Sequence, residues 1–224
     1  MTGISLDRPW IEFDLGQDMQ VLSWAINRPG FVTANRILWR EVRNADLTPD
    51  LDVTEWLSAE LAARDAQDTV AFLTSRDVRH HHQARATVDG ITAYALATVG
   101  LSNAERIGHR MDYGNRDWGT INVAVSLSEG LAQPALIEML SIAVQARTAA
   151  VMDSGFTLPT GTATGTGTDC LAVAAPAGEQ AYAGLHTAIG EAVGKATYDA
   201  VRYGAEVWKH SNLQRQREAD HAET

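Results

Sequence analysis

The chain is short of several residue types, and each shortage excludes something. Among 224 residues there is one cysteine, Cys170, so no internal disulfide can form, and no Cys/His spacing of a structural zinc site occurs. Such usage fits a reducing, cytoplasmic setting. Lysine is confined to Lys195 and Lys209, and 18 basic residues stand against 28 acidic ones, a formal net charge of −10. No basic stripe is left to gather phosphates, which argues against nucleic acid as a partner. No uninterrupted apolar run reaches the ~20 residues of a membrane-crossing helix. The opening "MTGISLDRPW" also has none of the apolar core of an export signal. The expectation is a chain without a membrane span.

What is present suits one globular domain: 45% hydrophobic and 21% charged residues, in a length with room for one sizeable core. Residues 1–210 are expected to form it, followed by a polar, frayed tail over 211–224. Residues 10–26 hold two apolar-alternating runs about Gly16 and Asp18, the pattern of a hairpin. Asp52 or Thr54 caps a helix over 53–63, with Val53, Trp56, Leu57 and Leu61 on one face. "TVAFLTS" (69–75) reads as a buried strand, and 86–101 as a hairpin about Asp89-Gly90. Then come a strand over 119–127, an alanine-rich helix over 131–152, a short strand from Cys170 and a helix from Ala188 to about Trp208. The pattern predicts an α+β fold, a mixed and largely antiparallel sheet layered with two long helices. An α/β sandwich with helices on both faces is the alternative.

Between the last two strands, residues 155–169 ("GFTLPTGTATGTGTD") have neither helical nor strand period. Glycines there let the backbone approach a ligand, while Thr166, Thr168 and Asp169 offer hydroxyls and a carboxylate. It is not a phosphate loop, because no Lys follows the final glycine. A flexible connector is the competing reading. His80, His81 and His82 are consecutive and cannot converge on one ion, so they read as a solvated segment, and no metal is expected. His186 precedes the last helix, with Thr187 placed to cap it and Glu191 one turn in; a capping-region or core histidine is the alternative to a catalytic one. Asn103 and Asn122 flank apolar strands, where a side-chain amide must find partners or close a turn.

The ordered strings "LSWAI…GF" (22–31), "TVAFLTS" (69–75), "TVGLSNAERIG" (98–108), "GTINVAV" (119–125), "ATGTGTD" (163–169) and "YAGLHTAIGE" (182–191) resemble the adenosylcobinamide amidohydrolase family. The resemblance runs from about residue 20 to 205. It implies hydrolysis of the amide that joins a corrin side chain to aminopropanol, giving adenosylcobyric acid in cobamide salvage, with the corrinoid as small-molecule substrate and no cofactor. The chain departs from the family pattern at "NRPGF" (27–31), which puts Asn27, Arg28 and Pro29 in doubt as site residues.

Amide hydrolysis needs a nucleophile, a base, oxyanion donors and a proton for the departing amine. Asp169 and His186 are expected to act as a pair, His186 as general base then acid and Asp169 orienting it or activating water. Thr166 or Thr168 is the alternative, covalent nucleophile. Gly165 and Gly167, with Asn35, Asn103, Asn122 and Glu191, are the expected substrate-binding positions. Cys170 begins an apolar strand and reads as inert packing. Two rival classes stay open: a non-catalytic corrinoid-binding protein, and a threonine-dependent acyltransferase or aminopeptidase.

Overall fold

Asp89 and Gly90 both take positive φ, 48° and 82°. That pairing gives a tight turn whose twist matches the flanking strands. It joins β5 (His81–Val88) to β6 (Ile91–Val99), which pair antiparallel from His81↔Thr98 to Val88↔Ile91. Two helices do the opposite job, because parallel neighbours need a crossover. Helix α1 (Val53–Ala63) returns the chain from β3 (Gly30–Glu41) to β4 (Val70–Thr74), and α2 (Gln133–Asp153) returns it from β8 (Ile121–Leu127) to β12 (Cys170–Ala175). Both strand pairs are parallel. With β1 (Gly3–Asp7) beside β2 (Trp10–Ser23), the eight-stranded sheet has the order β4-β3-β2-β12-β8-β6-β5. Short strands β7 (Ala104–Glu105), β9 (Thr157–Leu158), β10 (Gly161–Thr162) and β11 (Gly165–Thr166) pair outside it, and α3 (Ala188–Ala222) ends the chain. The computed structural model describes residues 3–43, 46–48, 50–112 and 119–222, with 215–222 given by their backbone alone.

The α+β class and the mixed, mostly antiparallel sheet are as the sequence predicts. Helix α1 occupies the predicted span, with Asp52 Oδ1 accepting from Thr54 N and Glu55 N at 3.0 Å. The region around Gly16 differs from expectation. Instead of a hairpin, β2 runs straight through as one 14-residue strand. Its two halves pair with the same partner, Asp14 with Arg36 and Met19 with Ala34, so residues 15–18 are absorbed as a bulge. Gly16, at φ 79°, supplies the positive torsion, and Asp14 Oδ1 accepts its N–H at 2.8 Å. Turn-forming residues were thus used to bend a strand rather than to reverse it.

The bent sheet curls until its β4 edge meets β8 and β6. Asn122 Nδ2 donates to Leu73 O at 2.7 Å, and the Thr74 and Thr98 hydroxyls lie 3.4 Å apart. Ile11, Val21, Trp39, Phe72, Leu96 and Ala172 are among the side chains filling the concave side. On the convex side, Leu136, Met139 and Ala143 of α2 and Val193, Ala196 and Val201 of α3 pack against Val123, Val125 and Val173. By length and composition α2 is apolar enough to cross a bilayer, yet this buried face marks it as the core helix of the fold. Helix α3 lies close on the sheet because Gly204 leaves room: a Cβ there would stand 2.6 Å from Val99 Cγ2 and 2.7 Å from His82 Cδ2. The polar end expected to fray continues α3 to Ala222, while Glu223 and Thr224 fall outside the described residues.

Candidate active site

The glycine-threonine segment proves to be tied down at nearly every residue. Thr164 N donates to Glu105 O at 2.8 Å, β11 pairs with β7, and Gly167 N reaches Asn103 O at 3.3 Å. Asn103 is buried and holds two strands of chain together. Its Oδ1 accepts from Gly119 N at 3.1 Å and its Nδ2 donates to Thr168 Oγ1 at 3.3 Å, while that hydroxyl donates to Gly119 O at 2.9 Å.

Asp169 is the hub. One carboxylate oxygen accepts from Thr166 Oγ1 at 2.5 Å and from Ile121 N at 3.1 Å; the other accepts from Thr166 N at 3.0 Å and from Arg147 Nη1 at 2.5 Å. Its side chain is only 6% exposed and that of Arg147 12%. Burial pushes the Asp169 carboxyl above the ordinary carboxylate range, and the Arg147 charge and the Thr166 hydrogen bonds pull against it. A Cβ on Gly165 would fall 1.8 Å from Arg147 Nη1 and 2.5 Å from Asp169 Oδ2, so only glycine lets this ion pair close.

Beside this loop opens a cavity of about 720 Å³. Trp24, Ile26, Phe72 and Leu73 form its apolar wall; Gly119, Thr120, Gly167, Thr168 and Asp169 form its polar floor. The two walls meet because β2 and β12 run antiparallel, so the end of one lies beside the start of the other. Trp24 Nε1 donates to Asp169 O at 2.9 Å across that junction. Cys170 also lines the cavity, but burial and the Asp169 carboxylate push its thiol up to about 12, which keeps it protonated.

Of the positions singled out in the sequence, Asn103, Gly165, Thr166, Gly167, Thr168 and Asp169 come together in this loop, and Gly167, Thr168 and Asp169 line the cavity. Asn122 stands just behind the wall, fully buried, accepting from Thr120 Oγ1 at 3.0 Å and tied to Leu73 O. Asn35 lies elsewhere, exposed in a shallow groove with Asp14, Asp18 and Asp68. Asn27 is structural, its amide bridging Thr69 O at 2.9 Å and Ala71 N at 2.8 Å, while Arg28 holds φ 48° and donates to Thr33 O at 3.1 Å.

The expected Asp169–His186 pairing is not formed. Strand β12 carries the chain six residues, roughly 20 Å at ~3.3 Å per residue, away from Asp169. The loop after it is then fastened at that far end, where Leu131 N donates to Pro176 O and Gly178 N to Leu131 O at 2.9 and 3.1 Å. His186 is exposed there in a separate groove with Glu138 and Gln145. Thr187 caps α3, its Oγ1 accepting from Gly190 N at 3.0 Å, and Glu191 is exposed in the first turn. The turns between Pro176 and Gly184 lead into the start of α3 rather than back to Asp169.

The histidine triplet also departs from a wholly solvated segment. His82 is buried, packed edge-on to Tyr203 at 5.2 Å, and burial beside the Arg76 charge pushes its imidazole down to about 4. Among the described residues no group of three or more His, Cys, Asp or Glu side chains is arranged to hold a metal ion. Sequence reasoning missed Arg147 and Trp24. A single arginine inside an alanine-rich apolar helix was the available signal for the first; nothing local marks the second.

A search of curated proteins finds no match. Among solved structures, the PH0078 protein from Pyrococcus horikoshii OT3 is similar at 9% sequence identity and a TM-score of 0.44, covering 87% of this chain and 76% of that one. The family description "adenosylcobinamide amidohydrolase" matches residues 2–213. With nearly its whole length so matched, this chain belongs to the adenosylcobinamide amidohydrolase family.

Proposed function

We propose that this protein hydrolyses the aminopropanol amide of adenosylcobinamide, yielding adenosylcobyric acid and aminopropanol, in the cavity beside the glycine-threonine loop. Membership of an amidohydrolase family supports the reaction class, and the Thr166–Asp169 contact is the observation that carries the mechanism. Four donors occupy the Asp169 carboxylate, which leaves no open lone pair for an activated water. A threonine hydroxyl already directed at a carboxylate of raised proton affinity is the better-placed nucleophile. Thr168 is less apt, since its hydroxyl is directed at a carbonyl, which is no base. Thr166 is half-buried next to Gly167, Thr168 and Asp169, the loop residues that line the cavity.

In this mechanism Thr166 Oγ bonds to the amide carbonyl carbon while its proton passes to Asp169. In this reading the Thr168 N–H, whose nitrogen lies 3.5 Å from Thr166 Oγ1, serves as the oxyanion donor. The C–N bond then breaks as Asp169 returns the proton to the departing amine. Acylation removes the Thr166 hydroxyl proton and so frees one lone pair of Asp169; water attacks the ester, its proton taken there by Asp169 and given back to Thr166, and the corrinoid leaves with a new carboxylate. Arg147 holds the Asp169 carboxylate in place and offsets its charge between these transfers.

The test is incubation of the purified protein with adenosylcobinamide, with EDTA and no added cofactor, reading aminopropanol release and a newly anionic corrinoid by ion-exchange chromatography. Turnover is expected. Unchanged cobinamide with folded protein overturns the activity, and turnover abolished by EDTA but restored by one divalent ion overturns the metal-free mechanism.

A further inference from the structure

Trp24 is an unusual residue to leave 45% exposed. It stands where β2 leaves the sheet, next to Ile26 at 44%, and both face the cavity. The other aromatic in that wall, Phe72, is 1% exposed and committed to the core, its ring edge-on to Trp39 at 4.9 Å. Among the described residues lining the cavity, Trp24 alone therefore offers an open aromatic face. Its one polar atom is already satisfied by Asp169 O at 2.9 Å, so the indole is oriented before any ligand arrives and its exposed surface is purely apolar and π in character.

We infer that Trp24 is the platform on which the corrin macrocycle lies, and the residue that sets affinity for the ring as distinct from the amide being cut. The inference rests on the hydrolase reading for its substrate. A corrin is broad and conjugated and meets a flat aromatic face well. Its cobalt(III) charge is only partly offset by the ring and the adenosyl carbanion, so the macrocycle is cationic, and an indole face attracts cations. The chain's net charge of −10 acts in the same direction. Because the indole N–H is anchored to the backbone carbonyl of Asp169, a ring resting on Trp24 is held at a fixed distance from the Thr166–Asp169 pair.

The experiment compares Trp24→Ala and Trp24→Phe with the unaltered protein in two measurements. In steady-state hydrolysis of adenosylcobinamide, Trp24→Ala is expected to raise KM about tenfold or more while kcat falls less than threefold, and Trp24→Phe, which keeps a ring but loses the N–H, to raise KM far less. In equilibrium dialysis, binding of aquocobinamide, which lacks the adenosyl group, is expected to weaken by the same factor in Trp24→Ala. An unchanged KM and an unchanged dialysis constant overturn the platform. A loss confined to the adenosylated ligand overturns it too, because the adenine would then be what the indole holds. If the unaltered protein binds cobinamide with Trp24-dependent affinity but releases no aminopropanol, the hydrolase reading fails and the platform stands.

Discussion

Gly165 shows how much one missing side chain can carry. Its position lets Arg147 and Asp169 meet inside the loop, so Gly165→Ala should force the ion pair apart and leave two buried charges badly matched. A loss of about 3 kcal/mol or more in urea unfolding is expected, in the range of broken buried pairs; a change within experimental error would mean the loop relaxes around the methyl group. The same hub makes a prediction about coupling. Thr166→Ala and Asp169→Asn should each lower kcat by about 10² or more, and the double variant should be scarcely worse than the worse single, because the two groups act as one unit. His186→Ala should combine additively with Asp169→Asn, since the two residues occupy opposite ends of β12. A non-additive Asp169–His186 cycle would restore the pairing that the sequence suggested.

At the scale of elements, local signals were read well where they were decided locally. The Asp89-Gly90 turn, the Asp52 cap and the apolar runs of β4, β8 and β12 all formed within a residue or two of expectation. Gly16 was misread because a turn residue and a bulge residue look alike until the partner strand is known. His82 was misread because burial depends on what α3 lays over β5, and only Gly204 in α3 lets the helix come so close. That packing has a measurable pH signature. An imidazole held down to about 4 in the folded protein, against an ordinary value near 6.5, binds fewer protons folded than unfolded. Stability should therefore fall as pH drops from 6.5 towards 4 and level off below, as far as this group contributes. In His82→Phe, which keeps a ring against Tyr203, the Tm loss over that window should be smaller than in the unaltered protein. Parallel Tm curves would show that His82 does not carry the effect.

For the whole molecule, the sequence made the chemistry of the loop legible but not the company it keeps. "ATGTGTD" is contiguous, so its threonines and Asp169 could be singled out from spacing alone. The wall opposite comes from Trp24 at the end of β2, brought to the loop by the pairing of β2 with β12, and from Phe72 in β4, which approaches because the sheet curls on itself. The same curling puts the β4 edge against β8 through Asn122 and Leu73, a contact between residues 49 positions apart.

The place of β12 in the sheet sets an order of events during synthesis. Trp24, Phe72 and Thr120 leave the ribosome well before Thr166, Asp169 and β12, yet β12 occupies the sheet position between β2 and β8. Until that strand is inserted, the emerging chain holds two half-sheets with an open seam and an apolar wall with no floor. The cavity comes into being with one late strand insertion, so the nascent protein can hold no ligand there until β12 has been made.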